Sequence, residues 1–250
     1  MKKKTYNIVC YDYIYNERVC ALIKNGGISA VIPAAGSSER FGKDKTEQLL
    51  GDYPCLVHTL IAFERSEQTV QTVVVTRKEK IETILSFKEK YGLSKLSAVV
   101  EGGRCRQSSA AIGFNATDPR VPFVAIHDGA RPLITPIDID NVALAAYEYG
   151  AAIAAMPQVN TVKLITEDGF IKQTIDRKKL LAAATPQIFS REIYGKIVEK
   201  FSDRFSDFTD DSSMAEELGI AVKTVICQPS NIKITTVEDL LLAETILSGK

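Results

Sequence analysis

Three short runs in this sequence combine small residues, charge and exposed peptide groups in the proportions that phosphate chemistry needs. The first runs from Ala34 through Gly36, Ser37, Ser38 and Arg40 to Lys43 and Lys45. Its small residues let backbone N–H groups approach a phosphate chain, and its three cations can offset a triphosphate. Neither GxxxxGK[ST] nor GxGxxG is present, so it is not a P-loop or a dinucleotide fingerprint. The second runs from Glu101 to Ser109. Gly102 and Gly103 expose peptide groups that suit a base edge, with Arg106 or Ser109 to complete the recognition. The same run reads equally as a helix N-terminus with a solvated arginine. The third, His127 to Pro132, offers one carboxylate, Asp128. A single carboxylate suits Mg²⁺, which keeps water and phosphate oxygens as most of its ligands. His127 reads as a packed, hydrogen-bonded side chain rather than a metal ligand.

All three runs follow segments that read as buried strands. ISAVIP (28–33), TVVVT (72–76), LSAVVE (96–101) and PFVAIH (122–127) are continuous apolar runs bounded by polar residues or glycine, as expected of strands covered on both faces. Helical periodicity fills the gaps: 55–64, 78–91, and a helix capped by Thr135, opened by Pro136 and closed at Gly150. Alternation of strand and helix predicts a parallel sheet, and ligands of such sheets sit at the carboxyl ends of the strands. After AAIAAMP the rhythm changes. TVKLIT and FIKQTI flank an acidic glycine turn and predict a hairpin arm over about 157–179, which alone cannot bury both faces and so suits a partner subunit. Helices are expected over 190–201, 210–219 and 237–247, and a strand over 221–227. The fold class is α/β: a single doubly wound, Rossmann-like domain (28–250) with a mostly parallel sheet and an inserted β-hairpin dimerisation arm.

Composition limits the function classes. With 31 basic and 31 acidic residues the 250-residue chain is formally neutral, which argues against coating nucleic acid or an anionic membrane. No apolar run is long enough to span a bilayer. Five dispersed cysteines and two histidines give no zinc pattern and fit a reducing cytoplasm. Residues 1–27 form an extension of unassigned role. Its acidic residues and missing cleavage site exclude a signal peptide, and alternating tyrosines allow either an edge strand or disorder.

Taken in order, PAAGSSERFG, EGGRCRQSS, IHDGARP, NTVKLI, TIDRKKLLAAATPQIF and NIKITTVEDLLLAE resemble the 2-C-methyl-D-erythritol 4-phosphate cytidylyltransferase family over roughly residues 28–247. The resemblance implies transfer of a cytidylyl group from CTP to the phosphate of methylerythritol phosphate, with Mg²⁺ and with release of pyrophosphate. It implies that Pro33, Ala34, Ala35, Gly36, Gly103, Arg106 and Ser109 hold CTP and that Arg40 stabilises triphosphate charge. Asp128 would be the magnesium-associated aspartate, and Arg131, Thr161, Arg177, Thr185 and Lys233 would bind the acceptor, with Arg177 and Lys233 orienting its phosphate. A homodimer sharing the acceptor site across the arm is implied too. One departure stands out: the family's Pro-Lys-Gln is here Thr46-Glu47-Gln48. In an extended segment Lys45 and Lys43 share the face of Glu47, so Lys45, with Lys43 as the alternative, is expected to take over the lysine's task. Two other readings stand beside this one: a ribitol 5-phosphate cytidylyltransferase, and a nucleotide-binding homologue whose transfer is impaired by Glu47.

Overall fold

Apolar residues with β-branched side chains run without interruption through the central strands because both faces of the sheet are covered. The structure, a computed structural model, describes residues 9–10, 26–36 and 48–249. Arg40, Lys43, Lys45 and Glu47 lie outside the described residues, as does most of the 1–27 extension. In chain order the elements begin with β1 (Val9–Cys10), β2 (Ile28–Pro33), β3 (Leu49–Leu50), β4 (Tyr53–Pro54), α1 (Cys55–Arg65) and β5 (Thr69–Thr76). Next come α2 (Ile81–Lys90), β6 (Leu96–Glu101), α3 (Arg106–Asn115), β7 (Phe123–Ile126) and α4 (Pro136–Tyr149). The chain continues with β8 (Ala151–Pro157), β9 (Val162–Ile165), β10 (Ile171–Ile175), β11 (Leu181–Ser190) and α5 (Arg191–Phe201). It ends with α6 (Asp211–Glu217), β12 (Lys223–Ile226) and α7 (Val237–Ser248).

Eight strands form one sheet in the order β1-β6-β5-β2-β7-β11-β8-β12. The pairs β6–β5, β5–β2, β2–β7 and β8–β12 are parallel. β11 is antiparallel to both β7 and β8, and β1 adds a short antiparallel edge beside β6. Two helical layers cover the sheet. Ile28, Ala30 and Ile32 of β2 face a core with Leu56, Leu60 and Phe63 of α1 and Ile139 and Val142 of α4. Val31, on the alternate side, meets Ala110 of α3, Tyr194 and Ile197 of α5 and Met214 of α6. That alternation is the two-residue period of a strand buried on both faces.

The helix over 136–149 has the expected ends: the Thr135 side chain accepts from the Asp138 N–H, Pro136 opens the first turn, and Gly150 closes it with φ of 82°. The run 78–91 instead divides into a 3-10 turn (Lys78–Lys80) and α2. The strand expected over 221–227 is confined to β12, which is the sheet's last strand and pairs with β8 alone. β9 and β10 pair with each other outside the main sheet. Their arm leaves Val159, Phe170 and Ile171 among the most exposed large apolar residues of the described chain.

Candidate active site

Chain order reverses about β2: the strands after it run outward one way to β6, then return to its other side at β7. A crevice opens at the carboxyl ends of strands flanking such a switch point. The loops after β2, β6 and β7 meet there. Ala34 is tied back by its N–H to the Val75 carbonyl at 2.7 Å, and the Gly102 N–H donates to the Thr76 carbonyl at 2.8 Å. A Cβ on Gly102 would come within 2.7 Å of the Ala35 Cβ, so glycine lets these two loops touch. The resulting cleft, about 420 Å³, is lined by Pro33–Gly36, Gly103–Arg106, Ser109, Asp128, Ala130 and Lys233.

α3 points its N-terminus at this cleft. The Cys105 Sγ accepts from the Ser108 N–H, and the Ser108 Oγ accepts from the Cys105 N–H at 2.9 Å, a reciprocal cap. The Ser109 hydroxyl is already engaged: it accepts from the Gly103 N–H at 3.0 Å and donates to the Cys105 carbonyl at 2.9 Å. Ser109 therefore shapes the glycine loop.

Arg106 is not a solvated arginine. Its Nε donates to Asp128 Oδ1 at 2.6 Å, and its terminal NH1 donates to Asp211 Oδ2 at 2.6 Å. Asp211, fully buried at the start of α6, also accepts from the Tyr194 hydroxyl at 2.8 Å. Lys233 Nζ lies 2.8 Å from Asp128 Oδ2, and Arg131 Nε lies 3.9 Å from the same oxygen. Three cations thus surround two carboxylates. Burial opposes the charge on Asp128, yet Arg106 and Lys233 outweigh it and hold the carboxyl well below the usual range. Burial likewise works against Arg106, and Asp211 followed by Asp128 keeps it firmly protonated. For Arg131 burial wins over Asp128 and lowers its pKa.

A second cleft of about 240 Å³ adjoins the same cluster, lined by Ala183–Thr185, Gln187, Thr209, Asp210 and Arg131 as well as by Arg106, Asp128 and Lys233. Those last three residues are the wall common to both clefts. Thr185 Oγ1 accepts from the Asp128 N–H at 3.1 Å and lies 3.1 Å from His127 Nδ1. His127 Nε2 faces the Arg131 carbonyl at 3.4 Å, so the network assigns the proton to Nε2. Burial pushes the His127 pKa down to about 3, in line with a packed, neutral imidazole.

The structure therefore brings together Pro33–Gly36, Gly103, Arg106, Ser109, Asp128, Arg131, Thr185 and Lys233. Thr161 and Arg177 stand apart in the arm, where both are exposed and Arg177 NH1 donates to the Val159 carbonyl at 2.6 Å. Sequence reasoning missed Asp210, Asp211, Tyr194 and Asn231. The pair Asp210-Asp211 before Ser-Ser was a visible helix-start pattern, but its ionic partner Arg106 is 105 residues away. Among the described residues no three His, Cys, Asp or Glu side chains are grouped to hold a metal. Among the described residues Asp128 is the only acidic one lining the first cleft, and both its oxygens already face cations. It can join a metal whose other ligands come from phosphate and water, and it cannot build a site alone.

A family model described as 2-C-methyl-D-erythritol 4-phosphate cytidylyltransferase matches residues 28–249. The protein of that name from Syntrophus aciditrophicus is 39% identical over 223 residues, covering 88% of this chain and 95% of the relative. Its counterpart from Caldanaerobacter subterraneus is 40% identical, covering 88% and 98%. Among solved structures, 4-diphosphocytidyl-2C-methyl-D-erythritol synthase from Anaerococcus prevotii superposes with a TM-score of 0.82 at 31% identity, covering 91% of this chain and 99% of the other. The Thermus thermophilus cytidylyltransferase does so with a TM-score of 0.72 at 26% identity, covering 89% and 99%. No helix among the described residues is long and apolar enough to cross a membrane.

Proposed function

Because the chain belongs to the 2-C-methyl-D-erythritol 4-phosphate cytidylyltransferase family, we propose that it transfers a cytidylyl group from CTP to 2-C-methyl-D-erythritol 4-phosphate, releasing pyrophosphate, in isoprenoid biosynthesis. The observation that carries this reading is the pair of clefts with one shared wall of Arg106, Asp128 and Lys233. In-line transfer needs the nucleotide on one side of the reacting phosphorus and the acceptor on the other.

CTP occupies the first cleft, its base against the Gly102–Gly103 peptides and its phosphates along Pro33–Gly36. Arg40 and Lys45 neutralise the triphosphate, with Lys45 replacing the lysine that Glu47 displaces. The acceptor phosphate enters the second cleft between Arg131, Thr185 and Lys233, and one of its oxygens attacks the α-phosphorus. A phosphate monoester is already ionised at neutral pH, its second pKa being about 6, so the attack requires no general base. Asp128, held far too acidic to accept a proton, instead fixes Lys233 and Arg106. Catalysis rests on positioning and on charge placed beside the developing pentacovalent phosphorus. Asp128 is the protein group that would hold Mg²⁺ together with the triphosphate, and the ion when bound would supply further neutralising charge there. Arg177 and Thr161, exposed on an arm with an uncovered apolar surface, complete the acceptor site of a second copy in a cytoplasmic homodimer.

The test is pyrophosphate release by purified protein with CTP and Mg²⁺, offering methylerythritol phosphate, ribitol 5-phosphate or no acceptor. Release with methylerythritol phosphate alone, abolished by Lys233→Ala, is expected. Release with ribitol 5-phosphate instead, or CTP binding without release, would overturn it.

A further inference from the structure

We propose that Asn231 is a positioning residue for the sugar-phosphate acceptor, acting through Thr185, Arg131 and Lys233; this rests on the acceptor occupying the second cleft. Besides Arg106 and Thr209–Asp210, three remote segments line that cleft: 128–131 after β7, 183–187 within β11, and the loop before α7. Asn231, fully buried, touches the other two. Its Nδ2 donates to the Thr185 carbonyl at 2.9 Å, and its own carbonyl accepts from Arg131 NH1 at 2.8 Å. The Asn231 N–H donates to the Gln228 carbonyl at 3.0 Å, and the Ile234 N–H donates to the Ala130 carbonyl at 2.8 Å. Lys233, held on Asp128, stands between those two attachment points.

The sheet explains why an amide is needed there. β11 pairs with β8 at Ala183 and next at Gln187, and its pairing with β7 begins only at Gln187. Thr185 therefore belongs to neither ladder. That irregularity frees its hydroxyl to reach Asp128 and His127, and it strips the buried carbonyl of a ladder donor. Asn231 Nδ2 supplies the missing donor. The interaction also fixes the amide's orientation, since a flipped amide would set Oδ1 against the Thr185 carbonyl. Arg131 is tied to the backbone of the same residue: its buried Nε has no hydrogen-bond partner among the described residues, and its NH1 donates to the Asn231 main-chain carbonyl, so a shift of the loop at Asn231 would carry Arg131 with it.

Removing the amide should loosen Thr185 and the loop carrying Lys233 while leaving the Pro33–Gly36 and Gly103–Ser109 loops in place. In steady-state assays Asn231→Ala should raise KM for methylerythritol phosphate at least tenfold, about 1.4 kcal/mol, with KM for CTP within twofold of wild type. Asn231→Asp keeps the volume and loses the donor, so it should show the same split; if the alanine variant does not fold, the aspartate variant decides. An unchanged acceptor KM, or both KM values rising together, overturns the proposal. Wild-type turnover of methylerythritol phosphate, measured alongside, separates failure of this inference from failure of the functional reading.

Discussion

The Asp211 carboxylate is buried without solvent contact, and removing its charge tests whether Arg106 is held from both sides. Asp211→Asn keeps the side-chain volume and an oxygen for the Tyr194 hydroxyl, and leaves NH1 of Arg106 without an anion. Breaking a buried pair by deleting one partner costs about 3–5 kcal/mol. Arg106 retains Asp128 at 2.6 Å through Nε and part of its surface reaches solvent, so the lower figure, about 3 kcal/mol, applies. For a chain of this size that corresponds to a fall in Tm of roughly 6 °C. Tyr194→Phe removes one neutral donor to the same carboxylate and should cost about 1–2 kcal/mol. The assay is urea unfolding with near-ultraviolet circular dichroism, at pH 7, for wild type, both single variants and the double variant. A loss below about 1 kcal/mol for Asp211→Asn, the size expected of an exposed pair, would refute the claim that Asp211 holds Arg106.

Three further outcomes are expected. His127 is depressed to about 3 in the folded protein against about 6.5 unfolded, so the unfolded chain binds the extra proton between these values. Stability contributed by the neutral imidazole is complete above about pH 6.5 and is lost as pH falls, at up to about 1.4 kcal/mol per unit. Urea midpoints between pH 7 and about 5, above the range where Asp128 protonates in the unfolded chain, should show that slope, and His127→Asn should flatten it. Gly113→Ala would gain about 1 kcal/mol in helix propensity, but the new Cβ would collide with the Val31 side chain and come within 2.7 Å of Val75 Cγ2. Overpacking of about 1–3 kcal/mol should win and lower the urea midpoint; a more stable variant would show that α3 can retreat from the sheet. If two copies associate through the arm as proposed, a charge placed there, as in Phe170→Asp or Ile171→Asp, should shift sedimentation velocity from dimer to monomer, and unchanged sedimentation would exclude the arm as the interface.

Most of the central sheet was legible because ISAVIP, TVVVT and LSAVVE are apolar on both faces, a pattern few other environments demand. The ends of the 136–149 helix were written in Thr135, Pro136 and Gly150, each of which acts locally. The run LAAATPQIFS was not legible as a strand. Alanine and proline have weak β propensity, and β11 owes its conformation to β7 and β8 on either side. The same holds for the site. Asp128 announced itself by its loop and Arg131 and Lys233 by the family resemblance, whereas Asp211 and Asn231 matter through partners brought near only by folding.

Reversal of β11 has a consequence for where the arm can stand. β8 runs with the parallel strands and delivers Pro157 to their carboxyl edge, and Leu181, opposite Pro157, starts the return from that same edge. Entry and exit of the insertion are therefore both rooted on the reacting side of the sheet. A hairpin inserted between two strands at the opposite edge would have given a docking handle indifferent to the chemistry. Here the two roots of the arm stand on the edge where both clefts open, so a second copy held at the base of the arm would lie beside the proposed acceptor cleft.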